Sequence, residues 1–167
     1  MHPQAFVFAK AALKQMRLEQ PVVVEIGARD INGSVRQLLW RARSYVGVDV
    51  APGHSVDVVA NGATFAPLEA PDLVVSTETL EHTDQACAIV GNAALMLRPG
   101  GRLLVTCATD PRAPHSGTDG GPLREGEFYR NVARDDLVGW VEQAGLQVLT
   151  CEAHPDRGDL YLVAAAA

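Results

Sequence analysis

The stretch Val22–Ser34, reading VVVEIGARDINGS, constrains the fold more than any other part of the chain. Its opening residues Val22–Ile26 are mostly β-branched, the pattern of a strand buried on both faces in a parallel sheet. Gly27 follows at once and Gly33 closes the loop. Both permit backbone geometries and close approaches that a Cβ blocks. Ser34–Arg41 then reads as helical, with Val35, Leu38 and Leu39 on one side. Strand, glycine loop and helix in this order place a small molecule at the carboxyl end of a sheet.

The residues of the loop narrow the choice of ligand. The spacing from Gly27 to Gly33 is wrong for a phosphate cradle, and no lysine follows. A dinucleotide fingerprint needs a glycine where this chain has Arg29. Glu25 would repel a pyrophosphate, whereas it suits a ligand carrying an ammonium or sulfonium group. The same glycines would equally serve a tight turn in any α/β domain.

Further apolar runs alternate with helical ones. Residues 5–16 carry Ala5, Phe8, Ala9, Ala12, Leu13 and Met16 at helical spacing, which predicts an amphipathic helix before the first strand. Strands are predicted at 44–50, 55–60, 71–76 and 101–109. A helix with Ala86, Ile89, Val90, Ala93, Ala94 and Leu97 on one face ends at Arg98–Gly101, where proline and glycine stop it. Residues 110–126 are rich in Gly, Pro and charge, too long for an ordinary connection. The next helix takes Asp135 as N-cap and stops at Gly145. Two last strands flank Pro155–Gly158, too short for a crossover, and so form an antiparallel hairpin. The expectation is a doubly wound α/β sheet of about seven strands, mostly parallel, with an antiparallel edge at its C-terminal end. Residues 51–54 leave no room for the usual crossover helix, so the third strand is a short edge piece or the helix is missing.

The 167 residues are expected to form one domain, 1–167, large enough for a proper core. No run approaches ~18 uninterrupted apolar residues, so none is expected to span a membrane. The start lacks the basic region and continuous apolar core of a secretory signal. Cys87, Cys107 and Cys151 fit neither a disulfide framework nor a zinc pattern, which implies buried free thiols in a reducing cytoplasm. No metal site is expected. The formal charge of −6 provides no basic footprint for nucleic acid.

Polar residues collect at strand ends: Glu25, Asp49 and Ser76–Thr77–Glu78. In a doubly wound sheet these ends line one crevice. Asp49 lies 22 residues after Gly27, the separation of a carboxylate that accepts from both hydroxyls of a ribose. Its alternative is a solvated acid at a strand end. Asn61–Gly62 either presents an amide to a purine edge or makes a common turn.

The segments VVVEIGARDINGS, YVGVDV, PDLVVSTETLEH and LRPGGRLLVT, in this order and spacing, resemble the class I S-adenosylmethionine-dependent methyltransferases over roughly residues 20–167. The resemblance implies a Rossmann-like sheet whose closing hairpin sets it apart from the nicotinamide-binding fold. It implies S-adenosylmethionine as cofactor, with Glu25 and Gly27 beside the methionine portion and Asp49 on the ribose. Asn61 falls near the adenine, and Ser76 supplies main-chain contacts past the fourth strand. Arg29, Gly33, Val50 and Gly62 complete the cofactor set. The family usually shows E-x-G-x-G-x-G, whereas this chain reads E-x-G-x-R, a longer and bulkier loop.

Methyl transfer from a sulfonium demands alignment and dryness more than acid–base groups. His82, His115 and Tyr129 are the candidate catalytic residues, with structural alternatives for each: fixing the loop after the fourth strand, solvation, and packing or capping of the next helix. The 110–131 segment and the N-terminal helix (1–19) are the candidate lids. A methyltransferase acting on a small-molecule acceptor is expected, with no nucleic-acid partner. The rival is a non-catalytic module that binds S-adenosylmethionine or scaffolds a partner. An NAD-dependent oxidoreductase fits poorly, for want of the glycine pattern.

Overall fold

The computed structural model describes residues 1–167. Helix α1 (Pro3–Met16) leads into β1 (Val22–Ile26), followed by a 3₁₀ turn at Val35–Leu39 and β2 (Ser44–Asp49). Then come β3 (Val58–Val59), β4 (Leu73–Thr77), a 3₁₀ turn at Leu80–His82, α2 (Ala86–Met96) and β5 (Arg102–Ala108). The chain ends with α3 (Arg134–Gln143), β6 (Gln147–His154) and β7 (Asp159–Ala165).

These strands make one sheet of order β3-β2-β1-β4-β5-β7-β6. β1 lies between β2 and β4 in parallel register, Val24 facing Val46 on one side and Val74 on the other. Only β7 runs against its neighbours, inserted between β5 and β6. The expected antiparallel hairpin stands at this end of the sheet, with β7 inside and fully buried and β6 forming the exposed edge. The alternation of β-branched residues explains the two cores, because successive side chains leave a strand on opposite faces. Val24, Ile26, Val74, Leu103 and Val105 pack under α2 and α3. Val23, Leu73, Val75, Leu104 and Val163 pack under α1 and the first 3₁₀ turn.

Four local expectations change. The Ser34–Arg41 helix is a 3₁₀ turn, started by Ser34 Oγ accepting from the Arg36 amide at 3.0 Å. The third strand shrinks to Val58–Val59 at the sheet edge, and the Asp57 carboxylate replaces a ladder bond by accepting from Gly47 N at 2.7 Å. Ala133, not Asp135, stands at the α3 N-cap; Asp135 and Asp136 fall in the first turn, where they favour the helix dipole. Of the cysteines only Cys107 is buried, because Cys87 points outward from α2 and Cys151 sits on the edge strand.

Helix α1 presses Ala5, Ala9 and Ala12 against the sheet, the small side chains allowing close approach. Its body is thus a layer of the core and does not cover the acceptor end as anticipated. Only Met1 and His2 reach the cavity described next. No helix is long and apolar enough to cross a membrane.

Candidate functional site

A cavity of about 840 Å³ opens at the carboxyl ends of β1, β2 and β4 and runs beneath the 112–122 segment. Glu25, Gly27, Arg29, Gly33, Asp49, Val50, Asn61 and Gly62 all line it, as do His82 and His115. Ser76 and Tyr129 do not. Ser76 sits inside β4, 2% exposed and paired with Ile26 and Val105 on either side, so its main chain is committed to the sheet. Thr77 and Glu78 take its place on the cavity wall.

The floor near β1 is built by close approach. Gly27 adopts φ +78°, and a Cβ there would fall 1.9 Å from Thr79 Oγ1. Its amide and that of Ala28 both donate to Val48 O, at 2.9 and 3.1 Å, locking the loop onto β2. Gly62 likewise lies against Ile26, whose Cγ2 would be 2.4 Å from a Cβ. At the end of β2 each Asp49 oxygen accepts one backbone N–H, from Arg29 at 3.2 Å and Ala51 at 3.0 Å. The carboxylate is thereby oriented and keeps lone pairs for a ligand. Asn61 is committed to a turn: Oδ1 accepts from Ala63 N at 2.9 Å and Nδ2 donates to Gln85 at 3.0 Å.

Glu25 is 2% exposed, and its Oε2 accepts from the Tyr45 hydroxyl at 2.7 Å. Burial pushes its pKa up to about 7 against that hydrogen bond. Arg29 spans the cavity to donate from Nη2 to Gly117 O at 3.2 Å, while its Nε is buried without a partner. The residue that breaks the glycine pattern thus ties the β1 loop to the long segment opposite.

At the other end His82 and His115 line the cavity and the Tyr129 ring packs against both, the three rings lying 4.9 to 5.4 Å apart between centroids. Burial, then the neighbouring His115, lowers the His82 pKa to about 4. Tyr129 donates to Asn131 Oδ1 at 2.9 Å, and burial raises its pKa. Beneath His82 lies Glu81, 0% exposed, accepting from Ala108 N at 3.2 Å; burial, then the Glu78 charge, raises its pKa to about 8.

Sequence reasoning missed a charged network at the rim. His2 Nε2 lies 3.1 Å from both Glu78 Oε2 and Asp159 Oδ1. Asp159, 1% exposed, also pairs with Arg112 and accepts from Tyr161 at 2.7 Å. Glu78 holds a left-handed backbone at φ +52°. Burial opposes its ionisation, but the hydrogen bond and charge of His2, together with the Arg112 charge and other lesser causes, lower its pKa. Glu81 stood within the quoted LEH motif, so a signal for it existed; nothing local linked His2 to Asp159.

A family of methyltransferase domains matches residues 5–151. The chain belongs to the class I S-adenosylmethionine-dependent methyltransferases. Its fold is shared with other methyltransferases of known structure. The 1,6-didemethyltoxoflavin-N1-methyltransferase of Burkholderia thailandensis, with 1,6-didemethyltoxoflavin and S-adenosylhomocysteine bound, superposes with TM-score 0.72 at 16% identity, covering 98% of this chain and 78% of that one. An S-adenosylmethionine-dependent methyltransferase from Clostridium acetobutylicum reaches 0.74 at 10% identity, over 100% and 93% of the two chains. The CcbJ methyltransferase of Streptomyces caelestis reaches 0.70 at 19% identity, over 100% and 97%. At such identities the likeness is one of fold. Among curated protein sequences the methyltransferase has no significant match.

Proposed function

We propose that this methyltransferase transfers the methyl group of S-adenosylmethionine to a small-molecule acceptor held beneath the 112–122 segment. The continuous cavity carries this reading: it joins the Glu25–Gly27–Asp49 end to the His82–His115 end in one volume. Its size falls in the range of about 300–1,000 Å³ that small molecules occupy. The net charge of −6 supports a small acceptor over nucleic acid.

The residues fit the cofactor. Asp49 has both oxygens oriented by backbone amides and lone pairs left for a ribose diol. Glu25 supplies the negative corner for an ammonium or sulfonium, and Gly27 the close backbone approach. Arg29 Nε, buried and unpartnered, is a free donor on the same wall. Gly33 and Val50 would border the cofactor. Asn61 and Gly62 would shape the adenine end, the Asn61 amide being already engaged. Ser76 would act through the strand, with Thr77 and Glu78 in contact.

S-adenosylmethionine brings a sulfonium methyl already activated for in-line displacement. The chain supplies orientation and excludes water. His82, neutral across the physiological range, and Tyr129, bonded to Asn131, are poor proton acceptors. They fit a role in shaping the acceptor end. His115 keeps one ring nitrogen free, since Nδ1 lies 3.1 Å from Ala113 O.

Calorimetric titration with S-adenosylmethionine and S-adenosylhomocysteine tests the assignment. Micromolar binding is expected, weakened about 10–100-fold in Asp49→Ala by loss of charge-assisted hydrogen bonds. A wild-type protein that binds neither ligand would overturn it.

A further inference from the structure

We propose that Glu81, His82 and His115 form a divalent-metal site at the acceptor end of the cavity, suited to Zn²⁺ or a similar first-row ion. One ligand atom from each lies within 4.8 Å of the others. Glu81 and His82 are consecutive on the 3₁₀ turn after β4, and His115 reaches them from the long segment opposite.

Three observations point to a cation. Glu81 is fully buried, with one carboxylate oxygen oriented by the Ala108 amide and the other, Oε2, lacking any partner. His82 Nδ1 is also buried and unpartnered. Buried polar atoms are rarely left unbonded, and an ion accepting both lone pairs would satisfy them together. The third observation is the state of His115. Its Nδ1 lies 3.1 Å from Ala113 O, which can only accept, so Nδ1 is the donor and Nε2 is the nitrogen left for a ligand. That arrangement, one ring nitrogen bonded to a carbonyl and the other free, is how ligating histidines are oriented.

Gly117 lets the segment settle over the site, because a Cβ there would come within 3.0 Å of the His82 ring. Metal–ligand bonds of about 2.0–2.2 Å place ligand atoms nearer to one another than the present separation, so the segment carrying His115 closes inward on the ion. Three protein ligands leave a coordination position open. The cavity adjoins it, so an acceptor oxygen could bind there. That last role rests on the methyltransferase reading above, whereas the metal site stands on the three side chains alone.

The test uses the full chain, stripped with chelator, without S-adenosylmethionine. Zn²⁺ alone is titrated calorimetrically, and Co²⁺ is followed by its visible absorption. One site of micromolar affinity or better is expected, with a Co²⁺ band of low coordination number. His115→Ala, on a half-buried loop residue, should weaken Zn²⁺ at least about tenfold and abolish the band. Cys87→Ser, which removes the exposed thiol, should change neither. Wild-type affinity no better than that of His115→Ala, or binding lost in Cys87→Ser, would overturn the site. S-adenosylhomocysteine titrated into the same preparations reads the cofactor end separately. Its binding intact with no metal binding sinks the metal site alone; the reverse sinks only the cofactor assignment.

Discussion

Glu25 is a buried carboxylate whose charge costs stability and which, in the proposed function, faces the cofactor. The unfolded chain releases this proton near pH 4.5, while the folded protein holds it to about 7. Between those values the native state binds more protons, so stability falls as pH rises through this window. The loss is about 3 kcal/mol by the ordinary conversion of pKa shift to free energy. Glu25→Gln should keep the Tyr45 hydrogen bond, flatten the denaturation midpoint between pH 5 and 7, and raise it above pH 7, in urea titrations across pH. The same variant should bind S-adenosylmethionine more weakly, because the negative corner is gone. A Gln variant with the wild-type pH slope would refute the buried-carboxylate account. Gly27→Ala works in the opposite sense. A Cβ 1.9 Å from Thr79 Oγ1 on a backbone at φ +78° should destabilise the fold by about 1–3 kcal/mol. Thermal melts and S-adenosylhomocysteine titration would register both consequences.

Three segments are joined at the cavity rim by charge. The start of β7 contributes Asp159, the long segment contributes Arg112, and the residue before α1 contributes His2. Asp159→Ala would leave Arg112 without its buried partner and remove the acceptor of the Tyr161 hydroxyl. Breaking such a pair destabilises by roughly 3–5 kcal/mol, which chemical denaturation would measure. His2 titrates within the same group. Its hydrogen bond to Glu78 is the largest influence and raises its pKa despite burial. Its share of stability is therefore fully present below the unfolded value of 6.5 and fades as pH rises through the raised folded value. The difference in urea midpoint between wild type and His2→Ala should shrink in alkaline buffer. An unchanged difference would mean that His2 acts by packing alone.

At the scale of the whole molecule, the two cores share one sheet and the cavity sits where its strands end. Ligand binding to the folded state should therefore report on the entire domain. S-adenosylhomocysteine at about a hundred times its dissociation constant adds roughly 2.7 kcal/mol. That corresponds to a rise in Tm of about 5–10 °C for a chain of this size, seen as one shifted transition in a thermal melt. A shift confined to one of two separate transitions would show that the two faces of the sheet unfold independently.

Local pattern carried much of this architecture. The β-branched runs, the stop at Arg98–Gly101 and the short Pro155–Gly158 turn mark strands, helices and the hairpin without knowledge of their neighbours, since each depends on residues a few positions apart. The place of Asp49, at the end of β2 on the cavity wall, was legible for the same reason: its spacing from Gly27 is set along the chain. Other features depended on contacts between distant segments. That β7 lies between β5 and β6, that α1 lays its alanines on the sheet, and that Ser76 faces the interior follow from how whole faces pack. Glu81 is the clearest case. Its letters sit in a recognisable motif, but its burial, its unpartnered oxygen and its nearness to His115 arise only when β4, β5 and the long segment converge. Periodicity along the chain determined the elements; packing across the sheet decided which polar groups lost water, and with it their chemistry.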